Sequence, residues 1–145
     1  MKSLEGKILY IDSNCFIYLF EDHPVFGDIA QRLFLAIEQG ACKAVTSTLT
    51  LMEVMAGPMK AGEQALANEY ADLITTFPNL TLRDMDHHIA RRASLFRVTG
   101  AQAPDAIHLA TAAHHETDGF VTADQRLARI PGVPVLMLND IAMEA

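Results

Sequence analysis

Five short apolar runs, separated by stretches with helical character, limit the folds open to this chain more than any other feature. Lys7–Ile11 reads as a buried strand and Ser13–Glu21 as the helix that follows it. Pro24 can open a second helix running to Gln39, with Gly40 as its stop. Cys42–Thr46 is the second strand, Leu49–Ala56 a helix ended by Gly57-Pro58, and Glu63–Phe77 a longer helix ended before Pro78. Leu80–Arg83 is the third strand, and Asp84 can cap a helix through Val98 with Gly100 beyond it. Pro104 opens the apolar helix Asp105–His115. Gly119–Thr122 is the fourth strand, Asp124–Ile130 a short helix, and Val135–Leu138 the fifth strand.

Strands spaced by helices imply an α/β fold, a parallel sheet with helices on both faces. Ligands of such sheets bind beyond the carboxyl ends of the strands, at a topological switch point. Four carboxylates stand in apolar surroundings, Asp12, Glu53, Asp105 and Asp124, and three of them, Asp12, Glu53 and Asp124, are expected near that edge. None has a Lys or Arg three or four residues away, whereas Asp28 has Arg32 at i+4 and reads as a surface pair. Asp12 follows the first strand, Asp124 lies just past Thr122, Glu53 is on the helix after the second strand, and Asp105 opens the helix leading into the fourth.

Each has a plain structural alternative. Asp12 can be the N-cap of the helix beginning at Ser13, and Thr50 with Glu53 can form a capping box. Asp105 after Pro104 suits a helix's first turn, and Asp124 can cap the last short helix and pair with Arg126. Glu53 resists this best, because it interrupts Leu49-Thr50-Leu51-Met52 and Val54-Met55-Ala56. Carboxylates in apolar surroundings are rare unless paired or metal-bound.

The other polar residues read as structural. His87-His88 and His114-His115 are adjacent pairs, not the i,i+4 pairs that clasp zinc on a helix. His108 shares a face with Asp105 at i+3, from where it could orient that carboxylate. Met52, Met55 and Met59 read as core filler, and Arg91, Arg92 and Arg97 as a solvated helix face.

The chain has 145 residues, half of them hydrophobic, which suits one globular domain spanning 1–145. No run reaches the length of a membrane span, and the segment from Ile8 to Phe20 lacks a signal peptide's cleavage site. Cys15 and Cys42 are too few for a disulfide scaffold and lack metal-site spacing, so a reduced, cytoplasmic protein is expected. The net charge of −7 argues against a purely electrostatic nucleic-acid binder and invites a basic partner. It leaves room for a metal-dependent nuclease, whose cations would offset the charge beside a phosphate.

An all-oxygen carboxylate set favours Mg²⁺ or Mn²⁺, ions used mainly on phosphates. A water activated by metal is then the nucleophile, so phosphodiester hydrolysis is the economical chemistry.

The chain resembles the PIN-domain family, and within it the VapC-like ribonuclease toxins of prokaryotic toxin–antitoxin pairs. The residues that carry the resemblance are Ile11-Asp12-Ser13-Asn14, Thr46-Ser47-Thr48-Leu49-Thr50-Leu51-Met52-Glu53-Val54, Pro104-Asp105-Ala106-Ile107-His108-Leu109-Ala110-Thr111-Ala112 and Phe120-Val121-Thr122-Ala123-Asp124. Their order and spacing span essentially the whole chain. The resemblance implies a three-layer fold with a central five-stranded parallel sheet, and a metal-dependent endoribonuclease. It places Asp12, Glu53, Asp105 and Asp124 at the family's acidic, catalytic and metal-binding positions, supported by Asn14 and Thr122. It further implies an RNA substrate, a homodimer and a cognate antitoxin with a basic or amphipathic segment.

Three rivals stand beside this reading. PIN domains also serve in RNA processing, without toxicity. A non-catalytic PIN-like binding module would need no metal. A haloacid-dehalogenase-type phosphatase also places an Asp after its first strand, but it expects a second Asp where this chain has Asn14, and a Lys where none follows Lys60.

Overall fold

The computed structural model describes residues 4–141. Its strands are β1 (Ile8–Ile11), β2 (Lys43–Ser47), β3 (Leu80–Arg83), β4 (Gly119–Thr122) and β5 (Val135–Met137). Its helices are α1 (Ser13–Phe20), α2 (Gly27–Glu38), α3 (Leu49–Lys60), α4 (Gln64–Thr75), α5 (His87–Val98) and α6 (Ala103–His114). All strand pairings are parallel, in the order β3-β2-β1-β4-β5. The chain steps outward from β1 through β2 to β3, then returns to lay β4 on the other side of β1. That reversal makes the boundary of β1 and β4 the switch point, and Asp12 and Asp124 follow those two strands.

Alternation along the central strands builds an apolar layer on each face. Leu9, Ile11, Ala44 and Val121 join Phe16, Leu33, Phe34 and Ile37 of α1 and α2. Tyr10, Val45 and Phe120 join Ile89, Phe96, Leu109 and Ala110 of α5 and α6. Leu9, Tyr10 and Ile11 are wholly buried, as a central parallel strand requires. The result is the three-layer α/β architecture expected from the sequence.

Several helix ends differ from expectation. The helix expected from Pro24 starts at Gly27, because the His23 ring Nδ1 accepts from the N–H groups of Val25 and Phe26 and occupies those residues in a turn. α3 continues through Gly57-Pro58 to Lys60, with Pro58 buried in its last turn and Glu63 N–H bonded to the Pro58 carbonyl. The cap of α5 is Asp86, not Asp84. The Arg83 carbonyl still bonds Thr48 N–H, so the chain leaves the sheet only afterwards, and Asp86 accepts from Ile89 N–H at 2.9 Å. The last expected helix is a single 3-10 turn, Gln125–Leu127.

Met52 and Met59 are not core filler: they are 61% and 48% exposed. α3 buries Thr50, Val54 and Pro58, a stripe at i, i+4, i+8, and these methionines fall off it. Met55 is half-buried. Arg91, Arg92 and Arg97 lie on an exposed face as expected, and both cysteines are free and buried. Among the described residues, no helix is long and apolar enough to cross a membrane.

Candidate active site

β1 is sealed on both sides, so the first polar side chain after it emerges at the sheet's carboxyl edge. That residue is Asp12, only 3% exposed. Its Oδ1 accepts from Ser13 N–H at 2.8 Å, which makes it the N-cap of α1. Its Oδ2 accepts from the Thr122 hydroxyl at 2.8 Å and from Asn14 Nδ2 at 3.3 Å. The capping and functional readings of Asp12 are therefore compatible.

Thr122 and Asn14 stitch α1 to the end of β4. The Thr122 oxygen also accepts from Asp124 N–H at 3.0 Å and from Asn14 Nδ2 at 3.2 Å, while Asn14 Oδ1 accepts from Ala123 N–H. Asp124 caps the 3-10 turn through Arg126 N–H. The Arg126 guanidinium then clamps its carboxylate, with Nε at 3.0 and 3.1 Å and NH2 at 2.6 Å. The same NH2 lies 3.9 Å from Asp105 Oδ2.

Glu53 stands on α3, its side chain 28% exposed, with Oε1 2.5 Å from His108 Nε2. The capping-box reading of Glu53 fails. Thr50 lies inside the helix, and its hydroxyl pairs with Thr46 at 2.7 Å. His108 does not orient Asp105, as its i+3 spacing suggested. Its ring is buried under β1, bonds Tyr10 OH through Nδ1 at 2.6 Å, and stands 3.8 Å from Asp12 Oδ1 through Nε2. The four acids are thus linked in pairs: Asp12 to Glu53 through His108, Asp12 to Asp124 through Thr122, and Asp105 to Asp124 through Arg126.

The electrostatics agree. Burial raises the pKa of Asp12, against the pull of His108 and the Thr122 bond. Burial also raises that of Asp105, and Asp12 and Asp124 push it further up. Arg126 holds Asp124 below the ordinary carboxylate range. Burial opposes charging of His108, but the Glu53 bond and the charges of Asp12, Glu53 and Asp105 prevail, and its pKa is raised. Tyr10 is held as the neutral phenol by burial and by Asp12.

The donor set suits a hard divalent cation: four carboxylates, two of them with raised pKa values and, among the described residues, one guanidinium beside them. Among the described residues no three ligating side chains already surround one point. Arg126 is the counter-charge that holds Asp124, while His108 holds Glu53 by a hydrogen bond; Arg126, with a side chain 65% exposed, can leave without disturbing the core.

A family model for the PIN domain matches residues 9–133. The chain belongs to the PIN domain family. The match includes all four acidic residues. No curated protein is significantly similar in sequence. Among solved structures, this PIN domain is similar to a toxin–antitoxin complex from Klebsiella pneumoniae, at 27% identity over 92% of this chain and 99% of that one, with a TM-score of 0.66. VapBC2 from Rickettsia felis, bound to a DNA fragment from its promoter, has 16% identity over 90% and 98% of the two chains and a TM-score of 0.72. Mycobacterium tuberculosis VapC20, a sarcin–ricin loop cleaving toxin, has 14% identity over 86% and 98%, with a TM-score of 0.67. The latter two likenesses are of fold alone.

The four acids singled out in the sequence lie at the carboxyl edge of this PIN domain's sheet, whereas neither Tyr10 nor the pairing of His108 with Glu53 was anticipated. One signal was available. A histidine inside the nearly all-apolar run Ala106–Ala113 has two ring nitrogens to satisfy, and local neighbours offer nothing for them. The remaining clustered histidines, His87, His88, His114 and His115, gather where the start of α5 meets the end of α6, away from Asp105 at the opposite end of α6.

Proposed function

We propose that this PIN domain is a Mg²⁺- or Mn²⁺-dependent endoribonuclease and the toxin of a toxin–antitoxin pair. The observation that carries the reading is the set Asp12, Glu53, Asp105 and Asp124, linked side by side at the switch point of a PIN-family sheet. PIN-family domains are nucleases, and the similar solved chains come from toxin–antitoxin systems.

The four carboxylates would hold the cation, which would supply Lewis-acid activation of water and neutralise charge at the phosphate. Asp12 is pre-set for this by Ser13 and Thr122. Asp124, now clamped by Arg126, would be one of the residues holding the ion, whose charge would offset the repulsion that Asp12 and Asp124 exert on Asp105. A carboxylate that keeps one oxygen free would accept the proton of the attacking water, with the phosphodiester bond broken by in-line displacement. The catalytic roles belong to these four residues. Asn14 and Thr122 position Asp12 and the loop after β4.

The same reading includes a cytoplasmic homodimer and a cognate antitoxin with a basic or amphipathic segment. It is supported by the net charge of −7 and by Met52, Met59 and Leu73, exposed on α3 and α4. The test is induced expression in a bacterial host. Wild type arrests growth, Asp12→Asn does not, and co-expression of the protein encoded beside it restores growth. Equal arrest by wild type and Asp12→Asn contradicts the reading. Growth unaffected by an expressed, folded wild type leaves an RNA-processing nuclease as the alternative.

A further inference from the structure

We propose that Tyr10 and His108 form a positioning arm that fixes the Glu53 carboxylate in the site; the inference rests on the metal-dependent reading above. The arm crosses the sheet–helix boundary. Tyr10 comes from the central strand β1, His108 from α6, and Glu53 from α3. Tyr10 is wholly buried and His108 is 1% exposed, whereas the Glu53 side chain is 28% exposed. A rigid interior pair therefore reaches out to a flexible acid at the rim.

Both ring nitrogens of His108 are committed, Nδ1 to Tyr10 OH at 2.6 Å and Nε2 to Glu53 Oε1 at 2.5 Å. With Tyr10 OH donating to Nδ1, the ring's proton sits on Nε2 and is donated to Glu53. Stacking of Tyr10 on Phe120, with ring centroids 5.1 Å apart, fixes the phenol at the head of the arm. Without the arm, Glu53 would sample the rotamers of a long, partly exposed side chain, an entropy cost to be met whenever the carboxylate is used. Only Oε1 is engaged; no described residue hydrogen-bonds Oε2, which stays free for a ligand. Histidine–carboxylate supports of this kind typically change metal affinity by about 10–100-fold.

The test is Mn²⁺ binding to the purified full chain by calorimetry, with denaturant unfolding measured alongside. Tyr10→Phe keeps the ring and removes only the hydroxyl, and it should weaken Mn²⁺ binding by roughly tenfold, the low end of that range. His108→Ala should weaken it by about 10–100-fold, and His108→Gln, whose amide can still donate to Glu53, should recover part of the loss. In a Glu53→Gln background, Tyr10→Phe should no longer change Mn²⁺ affinity, because the arm then has no carboxylate to position. Tyr10→Phe or His108→Ala that lowers stability but binds Mn²⁺ like wild type overturns the positioning role and leaves the nuclease reading intact. The same holds if Tyr10→Phe has an equal effect with and without Glu53. Wild type that neither binds Mn²⁺ nor cleaves RNA overturns the nuclease reading itself, and the arm's role falls with it.

Discussion

The buried Thr122 hydroxyl donates to Asp12 Oδ2 at 2.8 Å while its oxygen accepts from Asp124 N–H at 3.0 Å, so one side chain ties together the acids that follow the two strands of the switch point. Replacing it by valine keeps the shape and removes the bond. Thr122→Val leaves a buried carboxylate oxygen short of its donor and should cost about 1–3 kcal/mol of stability. Thr122→Ser keeps the hydroxyl and should lose less. Urea unfolding of the three proteins checks the order.

Asp105 should make the metal-free protein less stable than it could be. Its pKa is raised by burial and by Asp12 and Asp124, so the folded chain binds that proton more tightly than the unfolded chain. Stability linked to this group therefore rises as pH falls through its folded-state pKa, and is lowest at neutral pH and above. Asp105→Asn should raise the melting temperature in EDTA at neutral pH. The side chain's partial exposure and Arg126 keep the gain to no more than about 1 kcal/mol, or roughly 2–4 °C for a chain of this size. The gain should shrink as pH falls toward the ordinary carboxylate range, and thermal melts at several pH values read it directly.

Arg126 is the competing cation. Its guanidinium clamps Asp124 and approaches Asp105, and its side chain is 65% exposed. Arg126→Gln removes a positive charge from the place a divalent ion would share, so Mn²⁺ affinity should rise severalfold, most clearly at low salt. Calorimetry at two ionic strengths checks both the sign and the salt dependence.

Asp86 gives the opposite acid response to Asp105. Its pKa is lowered, chiefly by the bond from Ile89 N–H at the start of α5. The stabilisation it provides is present above its unfolded-state pKa and is lost as pH falls through the lower folded-state value. Asp86→Ala should melt earlier than wild type at neutral pH, with the gap closing in acid. Asp86→Asn, also a good N-cap, should melt close to wild type.

The strands and the acids were legible because both depend on local pattern. Leu80–Arg83 and Gly119–Thr122 form strands with the bounds read from their apolar runs, and Asp12 and Asp124 lie at strand ends because they are the first charges past such runs. Helix ends were less legible because side chains decide them: His23 delays α2, and Asp86 displaces Asp84 as the cap of α5. Met52 and Met59 misled because hydrophobicity alone does not say which stripe of α3 faces inward. The Tyr10–His108 bond spans 98 positions in sequence, and each residue alone reads as core, so only the fold could bring that pair to Glu53.

If the four carboxylates hold a divalent ion that cleaves RNA, the purified protein should cleave a structured RNA. The measurement compares Mg²⁺ or Mn²⁺ with EDTA, for wild type and for Asp12→Asn. Wild type should cleave with either ion and not in EDTA, and Asp12→Asn should lose at least about a hundredfold, the scale on which removing one charge-stabilising group at an active site acts. Cleavage that persists in EDTA, or that Asp12→Asn leaves unchanged, would contradict the metal-dependent reading.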